Sequence, residues 1–209
     1  MVLKSLCIFG GCFDPIHYGH LILANYIREE LDVEKFMFIP SFLPPHKEKA
    51  FSLFKHRFKM LKLALGKDSD FLVSDIESKR KEPSYSFLTI NNLKSQYRLK
   101  SEQLYFLIGG DSLVDFHTWK EPHMILDSAQ VMVLDRPGYC YDNVDKTILN
   151  KVKFLKTPLI EISSTNIRER IKADKSIEFF VPNQVVKYIM DNDLYVDWNK
   201  GKNIVVDEQ

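Results

Sequence analysis

The sequence has almost no net charge: 29 Lys and Arg against 28 Asp and Glu leave +1 over 209 residues. That balance creates no long-range field, so general nucleic-acid binding is not favoured. The basic residues are spread along the chain, and the short run Lys79–Lys81 reads as a solvated loop. Cysteine is scarce too. Cys7, Cys12 and Cys140 are an odd number with no close pair, which argues against a disulfide framework and fits a reducing compartment. Cys7, in an apolar run, reads as core. Cys12 lies in a glycine loop where a nucleophilic role is conceivable, yet no neighbouring feature argues for an activated thiolate. No apolar stretch reaches the roughly 18 residues that a membrane span needs. The chain opens on the strand-like Val2–Phe9, without the basic region, apolar segment and cleavage site of a leader. These absences predict a cytoplasmic protein with no membrane or nucleic-acid partner.

What is present suffices for a sizeable core, with 45% apolar residues. The length predicts one domain, taken as residues 1–198, followed by a polar tail at 199–209. There is no internal repeat or low-complexity tract. Short apolar runs at Val2–Phe9, Lys35–Ile39, Phe71–Ile76, Leu104–Ile108, Ala129–Leu134 and Leu159–Ile162 are strand candidates. Between them, Leu21, Ala24, Ile27 and Leu31 recur at helical spacing, as do Phe54, Phe58, Leu61 and Leu65, and then Phe87, Ile90, Leu93 and Tyr97. Helices are also expected at Thr165–Lys172 and Asn183–Asp191. This alternation predicts an α/β fold: a Rossmann-like, doubly wound parallel sheet with helices on both faces and a small C-terminal helical part. Such sheets bind ligands beyond the carboxyl ends of their strands. The unusual residues cluster at those ends: Gly10–His20, Pro40–Lys47 and Gly109–Asp111.

The first cluster reads Gly10-Gly11-Cys12-Phe13-Asp14-Pro15-Ile16-His17-Tyr18-Gly19-His20. Two glycines let the main chain turn tightly and approach a ligand. Pro15 stiffens the loop, and Gly19 leaves room for a ribose or base against the backbone. His17 and His20, three apart at a helix start, share a face. A helix N-terminus already favours an anion, and two imidazoles add donors that strengthen as charge develops on a phosphoryl group. The stretch fits neither the Gly-x4-Gly-Lys-Ser/Thr loop nor Gly-x-Gly-x-x-Gly. A zinc site would bring further ligands that the sequence does not place.

The pattern Gly-x-Phe-Asp-Pro-x-His-x-Gly-His resembles the signature of the nucleotidylyltransferase superfamily. The superfamily's second signature stands at Ile162-Ser163-Ser164-Thr165-Asn166-Ile167-Arg168. Its physics agrees with phosphate binding: Ser164 or Thr165 caps a helix facing an anion, and Arg168 forks onto the β- and γ-phosphates. The segments between are similar to bacterial nicotinate mononucleotide adenylyltransferases. They are Pro44-Pro45-His46-Lys47, Ser84-Tyr85-Ser86, Phe106–Asp111, Thr118-Trp119, Arg136-Pro137-Gly138 and Phe180-Val181-Pro182. The resemblance runs from about Leu6 to Tyr195.

It implies that ATP and nicotinate mononucleotide give nicotinate adenine dinucleotide and pyrophosphate, a step in making NAD. His17, His20 and Arg168 are then catalytic. Gly10, Gly11, Phe13, Gly19, Gly109, Asp111, Ile162, Ser163, Ser164 and Thr165 bind ATP, and Lys47, Ser86, Trp119 and Arg136 bind the mononucleotide. Mg2+ accompanies ATP with few or no protein ligands. Trp119 offers a flat face to a pyridine ring or serves as a half-buried anchor. Asp111 accepts from ribose hydroxyls or caps a helix. Tyr85 is core or ligand, and Lys47 and Arg136 hold the mononucleotide phosphate or are surface charge. Two positions depart from the family: Lys120 replaces an aromatic often found after Trp119, and Leu88-Thr89 stand where Asp-Thr is common. His56, His117 and His123 match no motif role. The rivals are a phosphopantetheine or nicotinamide mononucleotide adenylyltransferase and, from another class, a non-catalytic nucleotide sensor. Neither preference for acid over amide nor oligomeric state is legible.

Overall fold

A computed structural model describes residues 2–42, 52–67, 70–80, 83–135 and 138–196. Lys47, Arg136 and the expected tail lie outside the described residues. Six strands form one sheet: β1 (Leu6–Gly11), β2 (Lys35–Pro40), β3 (Phe71–Val73), β4 (Leu104–Gly109), β5 (Gln130–Leu134) and β6 (Val152–Leu155). Their spatial order is β3-β2-β1-β4-β5-β6, and every neighbouring pair runs parallel. The chain winds one way from β1 to β3 and the other way from β4 to β6. The crevice between β1 and β4 is therefore the switch point at which such sheets take ligands.

Alternation along the strands supplies two apolar faces. Leu6, Ile8, Leu104, Phe106, Val131 and Val133 turn toward one face. There α3 (Ser86–Tyr97), α4 (Gly110–Val114), α5 (Pro122–Ser128) and α6 (Lys146–Leu149) cover them with Ile90, Leu93, Leu113, Ile125 and Ile148. Cys7, Phe36, Phe38, Leu107 and Met132 turn to the other. They pack under α1 (Tyr18–Glu30), α2 (Phe54–Leu65), α7 (Ser164–Lys172) and α8 (Asn183–Asp191) through Leu23, Ala24, Ile27, Met60, Leu61, Ile167, Ile171, Val185 and Ile189. The doubly wound parallel sheet predicted from the alternation is the fold observed.

The last strand differs from expectation. Leu159–Ile162 is not a strand but an extended lead into α7, with Leu159 exposed. The sixth strand is Val152–Leu155, at the sheet edge. Only its two ends are buried, and Lys153 and exposed Phe154 between them break the apolar run that marks a central strand. Three short helices, α4 to α6, carry too few turns for periodicity to reveal. Strand β3 stops at Val73, three residues before the expected end.

Candidate active site

The carboxyl ends of β1 and β4 open into a cavity of about 520 Å³. Its walls include Gly10, Gly11, Phe13 and His20 from the loop after β1, and Gly109 and Asp111 after β4. Ser164 joins them from the start of α7, and Ser86 and Trp119 line it from elements that cover the other face of the sheet. Nine expected site residues thus meet around one space. Gly10 has no atom within 4 Å of where a Cβ would stand, so its backbone is open to close approach by a ligand.

Local interactions build the histidine pair. His17 is the N-cap of α1, and its Nδ1 accepts the backbone N–H of His20 at 3.4 Å. With Nδ1 accepting, the neutral ring carries its proton on Nε2. The two imidazoles stack with centroids 3.7 Å apart. Phe13, in left-handed backbone at φ 51° and 2% exposed, sets its edge against His20 at 5.1 Å. At Gly19 a Cβ would stand 3.0 Å from the His17 Nδ1. Its missing side chain makes room for the His17 ring. His17 is 5% exposed and lies behind His20, outside the cavity lining.

The second motif arrives from α7. Its N-cap is Ser163, not Ser164 or Thr165: the Ser163 hydroxyl accepts from Asn166 N at 3.1 Å. That frees the next two hydroxyls for other bonds. Ser164 Oγ donates to the Pro15 carbonyl at 2.9 Å, and Thr165 Oγ1 accepts from Arg168 Nη2 at 3.1 Å. Arg168 Nη1 donates to the Asp14 carbonyl at 2.8 Å, and this residue borders a second cavity rather than the first. Ile162 packs against the core, and neither Ser163 nor Thr165 reaches the main cavity wall.

On the acceptor side, Tyr85 is the N-cap of α3 and Ser86 its first residue, so Ser86 opens the helix without capping it. Trp119 is half-buried, 5.2 Å from Phe116 and 6.2 Å from Phe106 by ring centroids. It is anchored in the core, as the anchor reading expects, and is also present in the cavity wall. Asp111, expected on the ATP side, lies in the first turn of α4, whose N-cap is Gly109, and is an exposed part of the cavity lining. Lys120, exposed, also lines the cavity. Thr89, in the same lining, donates to Glu77 at 3.1 Å and accepts from Arg80 at 2.8 Å. Tyr85 lines the cavity beside Phe87.

Several contributors carry no motif of their own. Tyr139 lines the cavity over Gly110, where any Cβ would collide with it. Tyr141 donates to Asp135 at 2.8 Å, and burial with that carboxylate pushes its phenol up to about 12. Buried Arg57 donates to the Cys12 carbonyl at 2.9 Å from α2. Only its place in an amphipathic helix, on the apolar side with Met60 and Leu61, could have signalled it. His56 sits 3.0 Å from the Tyr188 hydroxyl. Burial and Lys55 hold its imidazole below the usual value, against the pull of Asp14. His117 bonds its own turn at Val114 O, 3.2 Å away.

Comparison with known proteins now bears on this geometry. Residues 8–170 match the cytidylyltransferase-like family model. A protein of Dictyoglomus thermophilum named "Probable nicotinate-nucleotide adenylyltransferase" is 42% identical over 193 residues, covering 90% of this chain and 98% of that protein. The Bacillus subtilis nicotinate-nucleotide adenylyltransferase is 36% identical over 194 residues, covering 92% and 99%. The chain belongs to the nicotinate-nucleotide adenylyltransferase family. The family's fold extends further: Plasmodium falciparum nicotinic acid mononucleotide adenylyltransferase, complexed with NaAD, superposes with a TM-score of 0.74 at 22% identity. That alignment covers 92% of this chain and 97% of the other. No helix among the described residues is long and apolar enough to cross a membrane.

Proposed function

We propose that this nucleotidyltransferase joins ATP and nicotinate mononucleotide into nicotinate adenine dinucleotide, releasing pyrophosphate. The observation that supports this reading is one cavity lined by His20 and Ser164 from helices on one face of the sheet, and by Ser86 and Trp119 from elements on the other. Phosphate donors and a flat apolar face therefore border a single space of about 520 Å³, the size of a small-molecule site.

An oxygen of the mononucleotide phosphate attacks the α-phosphorus of ATP in line. A new P–O bond forms as the bond to the β-phosphate oxygen breaks, and its electron pair leaves on pyrophosphate. A phosphate is already a nucleophile, so neither general base nor covalent enzyme intermediate is needed. Catalysis is then positioning and charge stabilisation. His20, with His17 stacked behind it, donates to phosphate oxygens, joined by the N-termini of α1 and α7. Arg168 borders the second cavity with Nη1 on Asp14 O and Nη2 on Thr165, and would take the leaving pyrophosphate by exchanging the Thr165 bond. Gly109 and Asp111 receive the ribose. Ser86 and Trp119 receive the pyridine, and Lys47 and Arg136 the mononucleotide phosphate.

Among the described residues, no group of three or more His, Cys, Asp and Glu could hold a metal. In this reading Mg2+ would enter with ATP, with few or no protein ligands. When bound, it would offset phosphate charge.

The test is pyrophosphate release from ATP–Mg2+ with three acceptors: nicotinate mononucleotide, its amide, and phosphopantetheine. The first should turn over fastest. Release only with phosphopantetheine, or with none, would overturn the assignment.

A further inference from the structure

Asp14 is 2% exposed and does not line the cavity, yet bonds from across the whole chain converge on it. Its carboxylate accepts from the Ser52 backbone N–H at 3.0 Å, from the Ser52 hydroxyl and from the Tyr195 hydroxyl. The two hydroxyls are 3.3 Å apart. Its carbonyl accepts from Arg168. The loop is held on either side as well, since Arg57 grips the Cys12 carbonyl and Ser164 the Pro15 carbonyl. Arg57 Nε also donates to Ser52 O at 3.3 Å. The carbonyls of Cys12, Asp14 and Pro15 thus receive side-chain donors from α2 and α7, and the carboxylate receives two hydroxyls and a backbone N–H. Charge-assisted bonds to a buried acceptor are the strongest available, and they stiffen one another.

We propose that Asp14, Ser52 and Tyr195 are positioning residues, a buried latch by which the segment after α8 holds the phosphate loop in working geometry. The inference rests on Gly10–His20 being the phosphate site. None of the latch's three residues lines the main cavity. It acts through two neighbours: His20, six residues along the same loop, and Arg168, whose guanidinium hangs from the Asp14 carbonyl. Burial, then the Asp14 charge, pushes the Tyr195 phenol far above its usual value, so it remains a donor throughout the physiological range. A latch of this kind favours the transition state more than either ground-state complex, because phosphate geometry matters most when charge is developing.

The test uses the full chain with ATP–Mg2+ and nicotinate mononucleotide, comparing Tyr195→Phe, Asp14→Asn and the double variant. Turnover, both KM values and the thermal midpoint are measured, with turnover read well below the midpoint. Tyr195→Phe keeps the ring and should lower kcat about tenfold while the mononucleotide KM stays within about twofold. The double variant should be no worse than about twice the Asp14→Asn loss, because both changes act through one carboxylate. Should Asp14→Asn fail to fold, Ser52→Ala takes its place in the cycle. Folded Tyr195→Phe with kcat within about twofold of wild type, or losses that multiply independently, would overturn the latch. A wild-type chain that releases no pyrophosphate with any acceptor would instead overturn the phosphate-site reading beneath it.

Discussion

The two ends of the cavity are built differently. At the ATP end, the loop after β1 is tied down: Arg57, Ser164 and Arg168 each hold one of its carbonyls, and the Asp14 carboxylate is buried among donors. At the acceptor end the contact residues stand in the open. Lys120 is exposed, Ser86 and Trp119 are half-buried, and the buried Glu77 and Thr89 bond each other in the wall itself. Transfer at phosphorus needs donors fixed before reaction, because reorganising them costs rate. Recognition of a flat ring tolerates a softer wall, where a wrong angle costs affinity alone. The difference teaches that turnover should be sensitive at one end and mononucleotide affinity at the other.

His20→Ala probes that division hardest. It removes the donor that lines the cavity and leaves the His17 cap of α1 in place. Loss of one preorganised donor should lower kcat about 10²–10³-fold, roughly 2.7–4 kcal/mol of transition-state stabilisation. Steady-state kinetics on a chain shown to be folded by circular dichroism would measure it. Near-normal turnover would break the contrast at its stronger end.

Trp119→Ala is the matching change opposite. Stripping the ring face should raise the mononucleotide KM about tenfold, with a smaller effect on kcat. Titrating each substrate at saturating levels of the other separates the two. An effect confined to the apparent ATP affinity would mean that the indole serves only as a core anchor beside Phe116 and Phe106.

The same contrast explains how far the sequence could be read. The ATP end was legible because its chemistry is local: glycines, a helix start and a His pair sit within eleven residues, and the second motif is equally compact. The parallel sheet was legible from apolar runs alternating with helical stripes, except at β6, where edge exposure admits Lys153. What escaped depends on contacts between distant positions. Nothing near Tyr195 announces that it reaches Asp14, 181 residues away. The packing of Gly19 against the His17 ring was not legible, since only the folded backbone shows the ring lying close to where its Cβ would be. The capping of α7 was misplaced by one residue, because three consecutive hydroxyl residues are equivalent caps until their other partners are known.

Lys120 tests the softer end most finely. It stands beside Trp119 in the cavity wall, and its Nζ is 3.9 Å from the neighbouring Glu121 carboxylate. Both side chains are largely exposed, so that pairing is weak and leaves most of the lysine's field available to a bound anion. A nicotinate carboxylate would feel that charge and a nicotinamide would not. Solvent screening keeps the preference small: Lys120→Gln should narrow the acid-over-amide ratio of kcat/KM by about threefold. The narrowing should fade as salt is raised, since an exposed charge acts within roughly 10 Å at 0.1 M. An unchanged ratio at low salt would assign discrimination to the fixed donors at the start of α3, and the acceptor end would then be less soft than its exposure suggests.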